Sequence, residues 1–327
     1  MQGLMRLSGV ILILFIFSSE FISGQNSSCH RSTEGKDFWF GFMEGRTADY
    51  YNPYVEITLS SGYSCKYKIF IGKATVPSDS GIVNPNIPLK VRLDWRIVEA
   101  MGSEVIQERA IHLVSDNPLN VYALNYAMNS SEVATVFPTE SIGSEYYAMC
   151  YDPHVSIQYN VIVNLVHYPM NIQGKNSEFL IVASHDSTIV TITPSVVTDG
   201  LRHAHVPFTV RLNKGELYQV QSANLPNLLG QGDLTGSYIS SNYPIALFSG
   251  SYATTIPNSS DKAYDHLYEQ MPPLQTWGRK FITVPLMSRH EDTYRILAAE
   301  DNTTVKVGSL KTFVLNHGQF HEFMLGY

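Results

Sequence analysis

Apolar residues in this chain recur every second position in short runs, not every third or fourth. Thr188 to Thr193 alternates with a period of two, the pattern of a half-buried strand. Phe179 to Ser184, Phe208 to Leu212 and Leu217 to Gln221 are similar short runs, separated by polar turns. His185-Asp186-Ser187 reads as a turn. Asn213-Lys214-Gly215 reads as a three-residue hairpin loop, its glycine suited to positive φ. Ser237–Ser241 and Pro244–Ser249 are expected to form another hairpin about Asn242-Tyr243-Pro244. The one weak helical period lies at Trp95 to Met101. The pattern predicts an all-β chain of antiparallel hairpins. Meandering hairpins favour a β-propeller; tandem β-sandwiches are the alternative.

Similar segments recur in the same order. PLKVRLD (88–94) matches PFTVRLN (207–213), and EFLIVASHDSTIVTI (178–192) matches TYRILAAEDNTTVKV (293–307). Leu212-Asn213-Lys214-Gly215 matches Leu315-Asn316-His317-Gly318. Asp116 to Val121 matches Asn242 to Leu247, and Phe137–Ala148 matches Met271–Ile282. Units are therefore expected to begin near Asp37, Glu178 and Thr293, the last incomplete. A half unit leaves a sheet edge unpaired, so further sequence or a partner is expected after Tyr327.

Composition narrows the classes. Apolar residues make up 44% and charged residues 16%, ordinary for a packed protein. Twenty Tyr and fifteen Phe lean toward β structure. A net charge of −7 argues against nucleic acid. Residues 1–24 read as a secretory signal: Arg6, the apolar run Val10 to Phe17, then Ser23-Gly24 for cleavage. Residues 25–36 form a linker, and 37–327 the domain. No later segment reaches membrane-spanning length. In the extracellular space the sequons at Asn26, Asn129, Asn258 and Asn302 are glycan acceptors. Cys29, Cys65 and Cys150 make one pair plus one odd thiol, which permits a disulfide to another chain. Cys65 and Cys150 also fit buried thiols, so no bridge is assigned.

Chemistry is sparse. No G-x-S-x-G elbow, H-E-x-x-H, P-loop or dinucleotide fingerprint occurs. His317 and His321 flank a turn and read as solvated histidines rather than a metal pair. No cofactor, metal or catalytic residue is expected. The densest polar cluster is Asp265, His266 and Glu269, with Trp277 following. These could hold a cation, a sugar or a basic residue of a partner. The structural alternative is that Asp265 caps a turn, His266 bonds a carbonyl and Trp277 packs a strand entry. His185-Asp186 and Glu300-Asp301 recur as turns, with Asp expected to bond backbone two residues on.

The stretch Ser240 to Val284 carries a resemblance. A PIALFSG strand (244–250) is followed by Asp265-His266-Leu267, Glu269-Gln270, Pro272-Pro273 and Trp277-Gly278 before a second expected strand, Phe281 to Val284. This resembles the N-terminal domain of the IgGFc-binding protein family, over residues 35–327. Asp37 to Met43 and Tyr294 to Val307 fit the same pattern. Tyr264 stands where relatives commonly carry cysteine, so a disulfide there is absent. The resemblance implies a secreted, mucus- or matrix-associated binding module with an extracellular protein or glycan as partner. A secreted hydrolase on a propeller scaffold is the enzymatic rival.

Overall fold

The computed structural model describes residues 32–45, 52–128, 130–163, 166–223, 232–257, 264–284, 286–287 and 290–326. The signal segment, Cys29, and the sequons at Asn26, Asn129 and Asn258 lie outside them. Among the described residues no helix is long and apolar enough to cross a membrane.

The chain is all-β. The first block runs β1 (Gly35–Phe40), β2 (Tyr54–Ser60), β3 (Cys65–Ile71), β4 (Asp79–Val83) and β5 (Leu89–Leu93). A one-turn helix, α1 (Trp95–Val98), follows, capped by the Asp94 carboxylate accepting from Arg96 N–H at 3.0 Å. Then come β6 (Ile106–Gln107), β7 (Ile111–Ala127) and β8 (Ser130–Val136). The second block holds β9 (Gly143–Tyr147), the hairpin β10 (His154–Val163) and β11 (Val166–Lys175), and β12 (Ser177–Ala183). It continues with β13 (Thr188–Thr193), β14 (Phe208–Leu212), β15 (Leu217–Gln221), β16 (Tyr238–Thr254) and β17 (Asp265–Gln270). The third holds β18 (Glu291–Leu297), β19 (Thr303–Val307), β20 (Lys311–Leu315) and β21 (Phe320–Gly326).

Two long strands organise the sheets. The first half of β7 pairs with β1 and β3; its second half pairs with β2 and β8. β16 does the same, with β9 and β13 on its first half and β12 and β17 on its second. Each changes its pairing partners at an Asx-x-Pro step. Proline has no N–H for a ladder, so it fits where the strand leaves one set of partners. The Asx side chain supplies the bond instead: Asp116 Oδ1 accepts from Lys66 N–H, and Asn242 Oδ1 from Ile189 N–H, both at 2.7 Å.

The strands therefore do not meander, and three expected hairpins are corrected. β12 and β13 do not pair, nor do β14 and β15; Asn242-Tyr243-Pro244 kinks one strand instead of joining two. The strand expected at Phe281–Val284 is also corrected: the four residues are exposed and form no strand. Between β12 and β13, and between β14 and β15, the short turn leads to a strand that does not neighbour the last, so β12 to β15 do not form the meander on which the propeller expectation rested. The pairing scheme nonetheless recurs. β2–β5 and β3–β4 in the first block correspond to β12–β15 and β13–β14 in the second, and β18–β21 and β19–β20 in the third. On this pairing β9 answers to β1, and β15 answers to β5. The match of 88–94 with 207–213 thus joins strands that hold different places in their sheets.

Two cores share a wall. β12 is buried along its whole length, as a strand covered on both faces must be. Leu180 and Val182 enter the first core with Phe38, Phe40, Ile57 and Leu113. Phe179, Ile181 and Ala183 enter the second with Val190, Ile192, Leu212 and Leu247.

Candidate functional site

Strand β17 carries three of the four candidate residues, and its period of two sorts them. His266, Tyr268 and Gln270 point inward; Asp265, Leu267 and Glu269 face outward. Gly250 lets the strand approach β16, since a Cβ there would meet the Leu267 carbonyl oxygen at 1.8 Å. Tyr268 donates from its hydroxyl to Gly41 O at 2.7 Å and stacks on Phe248.

His266 is only 2% exposed. Its Nδ1 lies 3.0 Å from Ser251 O and 3.3 Å from Tyr252 O. Two carbonyl acceptors assign the proton to Nδ1 in the neutral ring. Burial lowers the imidazole pKa to about 4. The ring presses on Gly45, where a Cβ would sit 3.3 Å away. His266 thus fixes the irregular step in β16–β17 pairing between Ser251 and Thr254.

Asp265 accepts from the Ser130 hydroxyl and from His266 N–H, the latter at 2.8 Å. At the other end of β17, Gln270 Oε1 accepts from Phe137 N–H at 2.7 Å. The two contacts bind β17 alongside β8, making a seam between the first and second blocks. Glu132 and Glu269 lie on that seam. Burial and then the negative charges of Asp265 and Glu269 push Glu132 up to about 7. Glu269, whose side chain reaches solvent, is also held above the usual carboxylate range, chiefly by partial burial.

Trp277 is elsewhere. It follows a short turn at Leu274–Thr276, donates from Nε1 to Pro272 O at 3.0 Å, and lies 6.3 Å from the Tyr147 ring. At roughly 3.3 Å per residue, β17 alone puts about 16 Å between Asp265 and Gln270. Asp265 and His266 therefore sit together near Ser130, Glu269 sits along the seam, and Trp277 stands by β9.

The sequence reading missed Ser130 and Glu132, which arrive from a remote strand. It also missed Glu178, a carboxyl inside the apolar strand β12 and fully buried. Burial holds its pKa well above the carboxylate range, with the Glu44 and Glu99 charges adding to the effect. Gln221 Nε2 donates to Glu178 Oε2 at 2.8 Å and to Glu44 Oε2 at 3.2 Å. A charged residue type within an otherwise apolar strand was the available signal.

The recurrent turns are structural. Asp186 and Asp301 each accept from the N–H of Lys214 or His317 across the neighbouring turn, at 3.1 Å. That is a tie between turns and not a bond two residues on. His317 is exposed, while His321 lies against Phe313 at 4.4 Å. No metal-holding group of three or more His, Cys, Asp or Glu occurs among the described residues. Cys65 and Cys150 are free thiols buried in different cores. Asn302 lies exposed in its turn.

The chain shares 23% identity over 288 residues with the human IgGFc-binding protein, an alignment covering 86% of this chain. It spans only 5% of that relative's length. No solved structure matches it. The family model described as IgGFc binding protein matches residues 132–327, which includes Glu132 and all of the seam but Ser130 and Ser131, the β16–β17 pair and the third block. That match covers more than half of the sequence, and the chain belongs to the IgGFc-binding protein family.

Proposed function

We propose that this chain is a secreted, glycosylated, non-catalytic module that holds an extracellular protein through the acidic seam between β8 and β17. Residues 1–24 supply the export signal, and the exposed Asn302 offers a glycan site. The name of the human relative supports a protein partner. The observation that carries the reading is the seam itself. Glu132 is raised to about 7 by burial and by Asp265 and Glu269, and no described cation offsets those charges. A basic patch on a partner would relieve that repulsion. The groups best placed for chemistry are committed to structure, since His266 bonds two carbonyls and Asp265 ties β17 to β8.

Surface plasmon resonance with immunoglobulin G Fc, and with polylysine as a probe of basic patches, tests this. Binding should weaken with added salt and fall at least threefold in Glu132→Gln/Glu269→Lys. Failure of both probes to bind, or a double variant that binds like the parent, overturns the seam as the site. Turnover in a broad hydrolase screen overturns the non-catalytic reading. Trp277 beside Tyr147 favours a glycan as the alternative partner. Glycan-array binding lost in Trp277→Ala but kept in Glu269→Lys would select it.

A further inference from the structure

Five strands wall one side of the first core. β2 pairs with β5 on one side and with β7 on the other, and β8 flanks β7 beyond. β17 lies next, along the seam. All five bury alternate residues in the same core, among them Val91, Ile57, Val121, Ala134 and Tyr268. The residues between these form one outer face. At its centre Tyr122 is 38% exposed and Val133 53%.

Charge on this face runs one way. Lys90 and Arg92, on β5, share the buried carboxylate of Glu56, two cations to one anion. Both of their side chains stay more than half exposed. At the opposite side stand Glu269, Asp265 and Glu132, with no described cation beside them. The register sets the two ends level. Lys90 pairs with Thr58, Thr58 with Tyr122, and Tyr122 with Thr135. The Thr135 backbone N–H in turn bonds the Glu269 carboxylate. One row thus runs from Lys90 to Glu269, with Tyr122 on the central strand. Such a row is its own complement. A two-fold axis along β7, between two copies, sets β5 of one over β17 of the other. Lys90 of each copy then meets Glu269 of the other, and Tyr122 meets its twin.

We propose that the outer face of β5, β2, β7, β8 and β17 is an interface between two copies of this chain, related by a two-fold axis along β7. The face shares Glu269 with the proposed partner site, but the dimer does not rest on that reading. Aromatic and apolar twins meet at the centre and charge pairs close the flanks, the usual order of a specific contact. Five strands at about 4.8 Å make a face about 19 Å wide, small for a stable dimer, so association is weak and reversible.

Sedimentation velocity of the full chain, at concentrations up to about 200 µM, reads the association. A monomer–dimer equilibrium that weakens with added salt is expected. Lys90→Glu and Glu269→Lys should each weaken it at least tenfold, since each sets like charges together at both flanks. An equimolar mixture of these two variants should dimerise about as well as the parent, because each presents the charge the other lacks. Tyr122→Arg, at an exposed position, sets like charges on the axis and should abolish the dimer. A monomer at every concentration, a mixture that stays monomeric, or a dimer unmoved by Tyr122→Arg overturns the proposal. The readout is mass and not Fc binding, so failure here leaves the seam as a partner site standing, and the reverse.

Discussion

The second and third blocks share their turns and differ in their interiors. Asn213 N–H donates to Glu216 Oε2 at 2.7 Å, and Asn316 N–H to Gln319 Oε1 at 2.9 Å. Ser187 N–H reaches Asn213 Oδ1 at 3.2 Å, and Asn302 N–H reaches Asn316 Oδ1 at 3.1 Å. Ser187 and Asn302 both take the left-handed conformation, at φ 58° and 56°. Thr188 donates to His185 O at 2.8 Å, and Thr303 to Glu300 O at 2.7 Å. Among the described residues these bonds form in the second block beside β16 and in the third beside no such strand, so the turns are encoded locally. Burial of Val190 and Ile192 needs β16, which arrives from some fifty residues away. The comparison separates what a segment specifies alone from what it borrows.

The largest effect should come from the contact that fastens the third block to the second. Arg295 is 10% exposed and bonds Asp233 Oδ2 and Glu322 Oε2, each at 2.6 Å. It also donates to Cys150 O at 2.9 Å and lies 3.8 Å from the Tyr151 ring. Arg295→Ala leaves Asp233 without its cation and should cost about 3 kcal/mol. Chemical denaturation should then show β18–β21 unfolding ahead of the rest; one unchanged cooperative transition would show that the blocks do not depend on this tie. A smaller, paired effect measures the interiors. Ile192→Ala should cost about 2–4 kcal/mol, because its site is closed on every side. Val307→Ala should cost under about 1 kcal/mol, because its site is open. Equal losses would mean that the third block already has a complete core.

The same division explains what could be read from residues alone. Alternation in Thr188–Thr193 gives strand β13 and its inward face. In β17 the inward residues are His266, Tyr268 and Gln270 and the apolar Leu267 faces out, so that strand was not legible from apolar period. His266 bonding a carbonyl was the structural alternative the residues offered. Family membership was legible too, because the motif from Pro244 to Gly278 is contiguous. Pairing was not. A turn such as His185-Asp186-Ser187 has the same residues whether the next strand returns beside the last one or crosses to the facing sheet. Asn242-Tyr243-Pro244 shows the limit most plainly. Its residues favour a turn, yet the strand continues, because Asn242 bonds Ile189 N–H and the proline falls between two sets of partners. At the seam, Ser130 meets Asp265 from 135 positions away, and no local signal announces that. The raised Glu132 pKa comes first from burial and then from the Asp265 and Glu269 charges that the same meeting brings near it.

The finest test of the comparison lies in the Asp301 turn. Asp301 Oδ1 is 3.1 Å from His317 N and 2.5 Å from His317 Nδ1. The bond from the His317 backbone N–H, and then that from its ring, hold the Asp301 pKa below the ordinary 3.8. A depressed carboxylate pKa contributes stability that is present above the unfolded value and lost as pH falls through the folded one. Asp301→Asn keeps an oxygen acceptor and removes the charge. Its unfolding midpoint should fall slightly below the parent's at pH 6, and the gap should close as the pH falls below the ordinary 3.8 and through the lowered folded value, where the parent's carboxylate protonates. Equal midpoints at every pH across that range would show that the turn needs only an acceptor oxygen. In that case the charge contributes nothing, and geometry alone makes the second and third blocks turn alike.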